Sequence, residues 1–86
     1  MNTELATVER LYRNHRFAQV ISRLEPQVPL YRDQPEFYRL IGMACLHQGD
    51  SSGARAYLER ARELEPGNVE VLLGIAAAAL RRGDNT

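Results

Sequence analysis

Apolar residues recur along this chain at the spacing of a helix. Phe17, Val20, Ile21 and Leu24 follow the i, i+3, i+4, i+7 pattern, and Tyr38, Ile41, Gly42 and Cys45 repeat it with Gly in place of a large side chain. Ala54, Tyr57, Leu58, Ala61 and Leu64 form a third such stripe, and Leu72, Ile75, Ala76 and Ala79 a fourth. No stretch of useful length alternates with period two, so the pattern predicts an all-α chain without a sheet.

The breaks between stripes agree with that reading. Thr3 suits the cap of a first helix, and "RNHR" at residues 13–16 reads as a polar turn. Pro35 fits a first helical turn, where its missing N–H costs nothing. Gly49 can end that helix, and Asp50 or Ser51 can cap the next. Pro66-Gly67 stops a fourth helix, Asn68 caps a fifth, and Gly83-Asp84 ends it. Five helices are expected, at about 3–14, 17–26, 35–48, 51–65 and 69–82. Short connections predict antiparallel neighbours. Pro26 and Pro29 in "PQVPLYRDQ" should shorten or kink the second helix.

The spacing also repeats. Gly49-Asp50 and Gly83-Asp84 are 34 residues apart, as are Tyr38 and Leu72, Ile41 and Ile75, Gly42 and Ala76, Cys45 and Ala79, and Leu46 and Leu80. Paired helices at this period point to a solenoid. Over residues 35–68 the chain resembles the tetratricopeptide repeat: Tyr38, Ile41, Gly42, Cys45, Gly49, Ala54, Leu58, Ala61 and Pro66 fall at that family's spacings. Cys45 stands for Tyr and Leu58 for an aromatic. The small pair Gly42 and Ala54 would let the two helices of a hairpin pack closely, and Ala61 would admit the following helix. Residues 69–86 match only the first helix of a further repeat. Residues 1–34 match weakly, with Leu11-Tyr12, Phe17, Val20 and Leu24 in place, His15 at the turn-Gly position and Arg32 at the Pro position. The resemblance implies one domain over residues 1–86: helical hairpins stacked as a short right-handed α-solenoid of about two and a half repeats.

Such arrays hold peptides or helices on the concave side, lined by the first helix of each pair. Carried over by position, the resemblance implies a groove of Asn2, Leu5, Glu9, Tyr12 and Arg13 in the first unit. The central unit contributes Glu36, Arg39, Met43, Leu46 and His47, and the last Glu70, Leu73, Ala77, Leu80 and Arg81. Leu5, Tyr12, Met43, Leu46, Leu73, Ala77 and Leu80 would form an apolar floor, and the flexible Met43 adapts to irregular partners. Arg13, Arg39 and Arg81 would meet acidic residues of a partner. The Lys/Asn/Lys/Arg clamp with which some family members grip chaperone C-termini is absent, so the implied ligand is an apolar helix or extended segment of a protein. Met43 and Leu46 equally fit a wide core face packed under residues 26–34. An adaptor within a longer repeat protein and a small cytoplasmic chaperone for a secreted or assembling subunit, of the kind found in bacterial export systems, both suit this surface.

The last helix, "VEVLLGIAAAALRR", is apolar nearly all round, whereas a terminal capping helix shows a polar outer face. Val71, Leu72, Ile75 and Ala79 are expected to lack cover and to mark a self-association stripe or the seat of a further helix. The chain therefore reads as the first part of a longer array.

Charge and composition narrow the function further. The 86 residues hold 11 basic and 11 acidic side chains, and every basic one besides the two His is Arg. Zero net charge argues against nucleic acid as a partner. The absence of Lys fits codon bias in a GC-rich genome as well as a preference for bidentate Arg contacts. "MNTELATVER" is not a secretory signal, and the apolar run "VLLGIAAAAL" is too short to span a bilayer, so a cytoplasmic protein without membrane contact is expected. Cys45, the only cysteine, falls on the core face, where a thiol acts as a small apolar group. His15 and His47 have no metal-ligand neighbours at useful spacing and read as solvated. Ser51 and Ser52 are capping residues outside any nucleophile elbow. The Arg60, Arg62, Glu59, Glu63 and Glu65 cluster reads as a solvated helix face. No catalytic constellation and no cofactor motif emerges, so a non-enzyme is expected.

Overall fold

In a computed structural model, described for residues 3–81, five α-helices follow one another: α1 Thr3–Arg13, α2 Phe17–Leu24, α3 Pro35–His47, α4 Ser51–Leu64 and α5 Val69–Arg81. No strand occurs among the described residues. Asn2 and the Gly83-Asp84 stop lie outside them, as does the side chain of Thr3.

The starts and stops have local causes. Asp50 caps α4, its Oδ1 accepting from the Gly53 N–H at 2.9 Å. Asn68 caps α5, its Oδ1 accepting from Val71 N–H at 3.3 Å. These bonds satisfy first-turn donors that have no partner inside the helix. Gly49 turns the chain out of α3 with φ +86, and His15 does so between α1 and α2 with φ +62. These residues stand 34 positions apart, so both hairpins turn through the left-handed region at the same point.

The second helix ends earlier than its pattern suggested. It stops at Leu24 and tightens into a 3₁₀ segment, Glu25–Leu30. Pro26 and Pro29 lack the N–H groups that would have bonded Ser22 and Glu25 in a continuing α-helix, so the tighter winding takes over. The Leu24 carbonyl, the N-cap of this segment, also accepts a 2.7 Å bond from the buried Tyr31 hydroxyl.

The helices form two layers. α1, α3 and α5 are neighbours in one, and α2 and α4 each pack against them from the other, with α4 lodged between α3 and α5. The result is elongated, 44 Å by 25 Å by 20 Å. The core runs the length of the stack through Val8, Val20, Leu24, Leu40, Ile41, Ala44, Leu58, Ala61 and Val71. Tyr31 stacks on Phe37 with centroids 4.6 Å apart and meets Tyr38 edge-on at 5.6 Å, closing the core beneath the 3₁₀ segment.

Close approach of helices is set by glycine. A Cβ on Gly42 would lie 2.7 Å from Leu58 Cγ and 3.3 Å from the Leu58 backbone nitrogen. Gly42 thus makes room for Leu58, and Ala54 on the same helix is fully buried. Gly74 does the same for α5, where a Cβ would lie 2.9 Å from both Leu58 Cδ1 and Met43 Sδ. The 34-residue register pairs Gly42 with the exposed Ala76 and gives no hint of Gly74.

Candidate functional site

Apart from Asn2, which lies outside the described residues, the expected groove residues lie on α1, α3 and α5, which share a layer. A cleft of about 190 Å³ opens there, lined by Glu9, Tyr12, Arg13, Arg39 and Leu40. Glu9, Tyr12, Arg39, Met43 and Ala77 are half-buried, and Arg13, His47, Leu73, Leu80 and Arg81 are exposed. Leu5 is half-buried against the core. Leu46 is a correction: at 6% exposure it belongs to the core and offers little to a ligand. Met43, one turn earlier, keeps part of its surface outside and reaches toward Gly74. A larger cleft of about 590 Å³, lined by Thr7, Leu11, Ala18, Gln19, Ser22 and Arg23, lies between α1 and α2 and contains none of the expected groove residues.

Two of the three groove arginines are already engaged within the chain. Arg39 Nη1 stands 3.3 Å from Glu70 Oε1, joining α3 to α5 across the layer. Arg81 Nη1 donates to the Leu46 carbonyl, which also accepts from the Gly49 N–H at 3.1 Å at the end of α3. Each contact uses one Nη1 of a guanidinium that carries five N–H donors, so both arginines keep donors besides these contacts. Arg13 remains exposed at the edge of the cleft.

His47 is also more than a solvated histidine. Its imidazole lies flat on Phe17, centroids 4.2 Å apart and planes 8° from parallel. The Tyr12 hydroxyl stands 3.4 Å from His47 Nε2, and Tyr12 meets Phe17 edge-on at 5.3 Å. His15 packs on the same Phe17 at 5.5 Å. Burial, then the neighbouring Arg81 and His15, hold His47 below the ordinary histidine pKa. Burial pushes the Tyr12 hydroxyl up, with Glu70 adding to the shift and Arg39 opposing it. The sequence carried one sign of this cluster, four ring-bearing residues at the ends of three helices, but helical periodicity does not pair loop-proximal rings.

The remaining chemical candidates have structural roles. Burial pushes the Cys45 thiol up to about 11, so it stays protonated and packs as an apolar group. Arg60 pairs with Glu63 at 3.0 Å and Arg62 with Glu59 at 2.8 Å, pairings one turn apart along α4. Among the described residues no group of three or more His, Cys, Asp or Glu is placed to hold a metal ion. No helix among them is long and apolar enough to cross a membrane.

A tetratricopeptide-repeat family model matches residues 35–80, more than half of the chain. The chain belongs to the tetratricopeptide-repeat family. No curated protein and no solved structure matches it. Tetratricopeptide repeats are protein-interaction modules, and they are typically non-enzymatic. The match spans α3, α4 and nearly all of α5, the part of the chain in which the 34-residue spacing is clearest. It does not extend to α1 and α2, where His15 stands at the turn and prolines break the second helix.

Proposed function

We propose that the chain holds an apolar segment of a partner protein, an amphipathic helix or an extended strand, along the α1–α3–α5 layer. The observation that carries the reading is the cleft between α1 and α3 lined by Glu9, Tyr12, Arg13, Arg39 and Leu40. Met43 and the exposed Leu73 stand on the same layer. Tyr12 and Met43 supply contact area, and Met43 can reshape to irregular side chains. An acidic residue of the ligand would meet Arg13 at the rim. Arg39 already meets Glu70 through one Nη1, so a ligand carboxylate there would share it with Glu70 and tune selectivity more than affinity. Residues 1–34 act as a degenerate first unit, 35–68 as a full repeat and 69–86 as the opening helix of another, within one cytoplasmic adaptor.

The test is a peptide-display selection against the chain, followed by amide chemical-shift mapping with a synthetic copy of the selected peptide. Shifts are expected at Glu9, Tyr12, Arg39, Met43 and Leu73, and Met43→Glu should weaken binding at least about tenfold, the scale of losing one well-packed contact. Shifts confined to the α1–α2 cleft, or binding indifferent to Met43→Glu, would remove the groove from consideration. A dedicated chaperone for an aggregation-prone subunit is the second reading. It is favoured by the exposed Leu72, Leu73 and Leu80, a large apolar display for so small a chain. Suppression of a client helix's aggregation at equimolar chain would distinguish it from an adaptor.

A further inference from the structure

The apolar stripe expected on α5 is only partly open. Val71 is a correction: at 1% exposure it belongs to the inward face with Gly74 and Ala78, while Leu72 is exposed and Ile75 and Ala79 are half-buried. Nothing in the structure selects an occupant for the open part. The charged residues at the end of α1 do point to a partner. On α4 every arginine has a carboxylate one turn away: Arg55 and Arg62 meet Glu59 at 3.4 Å and 2.8 Å, and Arg60 meets Glu63 at 3.0 Å. Between elements, Arg23 meets Glu4 and Arg39 meets Glu70. Arg10, Arg13 and Arg16 break this pattern. All three are exposed, and none has a carboxylate of the described residues within ion-pair distance. Even Glu9, four residues before Arg13 and lining the same cleft, forms no ion pair with it.

The fold gathers these three arginines at the turn between α1 and α2. Arg10 and Arg13 stand three residues apart on α1, neighbours on its surface. His15, with φ +62, then reverses the chain, and the Arg16 N–H bonds the Leu11 carbonyl at 2.9 Å, which folds Arg16 back onto the last turn of α1. His15 and His47 flank the same corner on the Phe17 ring. Behind burial, Arg81 and His15 also depress the His47 pKa, so positive charge acts on this corner from α5 as well. A cation in the last turn of α1 is favourable, since it meets the negative end of the helix dipole, but that benefit does not call for three. Like charges one turn apart repel, so the cluster is unfavourable until a counter-charge arrives.

We propose that this corner takes a run of Asp or Glu side chains on a partner protein, the acidic end of the segment whose apolar part lies in the groove. Arg13 joins the two regions, because it also lines the cleft with Tyr12, Arg39 and Leu40. Each guanidinium offers five N–H donors in a fork that matches a carboxylate, so three of them hold several carboxylates at once. The far end of the layer has the opposite sign, with Glu36 and Glu70 in the first turns of α3 and α5. A segment that is acidic at one end therefore fits in one direction, its acidic end on the α1–α2 turn. Nucleic acid fits less well: a polyanion long enough to fill the groove would meet Glu9, Glu36 and Glu70, on a chain of zero net charge. The placement of the apolar part rests on the groove reading; the preference of the corner for carboxylates does not.

The test reads the composition of peptides selected by display against the full chain, then measures the affinity of one of them. The selected peptides are expected to be enriched in Asp and Glu toward one end. A synthetic acidic peptide from that pool should bind Arg13→Gln combined with Arg16→Gln about fivefold more weakly than the parent at about 0.1 M salt, the scale of two exposed charge pairs. The difference should vanish near about 1 M salt. A copy of the peptide with Asn and Gln in place of Asp and Glu should bind parent and double variant alike, and helical circular dichroism should be unchanged. Arg32→Gln, an exposed arginine in the loop before α3, should have no effect. Selected peptides without acidic enrichment, an acidic peptide indifferent to the double variant, an equal loss in Arg32→Gln, or an oligothymidylate that binds more tightly than the peptide at the same salt would overturn the proposal. Amide shifts at Met43 and Leu73 together with that indifference would leave the groove without the corner. A loss in the double variant without shifts at Met43 and Leu73 would keep the carboxylate corner and remove the groove.

Discussion

The Phe17 ring lies 4.2 Å above the His47 imidazole and nearly parallel to it, joining the start of α2 to the end of α3. The stack closes the corner between the two hairpins, with Tyr12 and His15 packed around it. It also makes this corner sensitive to pH. His47 is held below the ordinary histidine value of 6.5, so the neutral ring is favoured in the folded chain. The last turn of a helix favours a cation, but burial together with Arg81 and His15 outweighs that here. The unfolded chain binds the proton first as pH falls. Stability is therefore full above 6.5 and declines as pH drops from there through the lower folded-state value. Urea midpoints measured between about pH 8 and about pH 5 should fall, and His47→Phe, which keeps a ring on Phe17, should flatten that slope. Glu4 titrates in a separate, lower window. Its bond to Arg23 at 2.7 Å holds its carboxyl down, so its contribution is present above 4.5 and lost below it. A slope unchanged in His47→Phe would place the sensitivity elsewhere.

Gly42 and Gly74 both face Leu58, yet substitution should separate them. Alanine gains about 1 kcal/mol of helix propensity at either position. At Gly42 the new methyl would press on Leu58 Cγ and approach the α4 backbone, which cannot rotate away. Overpacking of that kind costs about 1–3 kcal/mol, so Gly42→Ala should be net destabilising by about 1 kcal/mol. At Gly74 the obstacles are the ends of two flexible side chains, Leu58 Cδ1 and Met43 Sδ. Gly74→Ala should fall within about 0.5 kcal/mol of the parent or be more stable. Chemical denaturation of the two variants checks the ordering, and equal losses would mean α4 yields more readily than its packing implies.

The extents of α3, α4 and α5 were legible because local signals such as Pro35, Gly49, Asp50 and Asn68 mark their ends and each carries its own apolar stripe. The family was legible for the same reason, since small residues at fixed spacing leave a pattern that survives softened positions such as Cys45. The joint after Leu24 was only half legible. Its prolines forecast a break, but nothing local says that Tyr31 will fold back to bond the Leu24 carbonyl. The partners of the groove charges were not legible, because position in a repeat says which side a residue faces and not which neighbour it meets. Arg39 and Glu70 are both groove positions, and they found each other.

Tyr31→Phe isolates that joint. Its ring stacks on Phe37, and Phe would keep the stack while removing one buried hydrogen bond. The Leu24 carbonyl would be left without its 2.7 Å donor. As N-cap of the 3₁₀ segment that carbonyl keeps its backbone partner, so the loss is one buried hydrogen bond, about 1 kcal/mol, and more where water cannot replace the hydroxyl. A loss of about 1–2 kcal/mol in urea unfolding is expected, with faster amide exchange in residues 25–30 than in α4. A variant as stable as the parent would show that water already serves this carbonyl.

The two hairpin turns give the last comparison. Gly49 and His15 occupy equivalent positions with φ +86 and +62, and only Gly adopts that backbone without strain. A methyl on Gly49 would meet nothing within 4 Å, so any penalty for Gly49→Ala is purely conformational, about 1–2 kcal/mol. His15→Gly should relieve the same strain in the first turn. Against that gain stand a more flexible unfolded chain and the lost edge contact with Phe17 at 5.5 Å, and histidine tolerates this region better than most residues. The net change should therefore be small, a gain within about 1 kcal/mol, well short of the penalty at Gly49 reversed. Thermal unfolding of both variants decides it. A large loss in His15→Gly would mean that the ring cluster of Tyr12, Phe17 and His47 depends on the His15 side chain, and that the first hairpin keeps a strained turn for the sake of that packing.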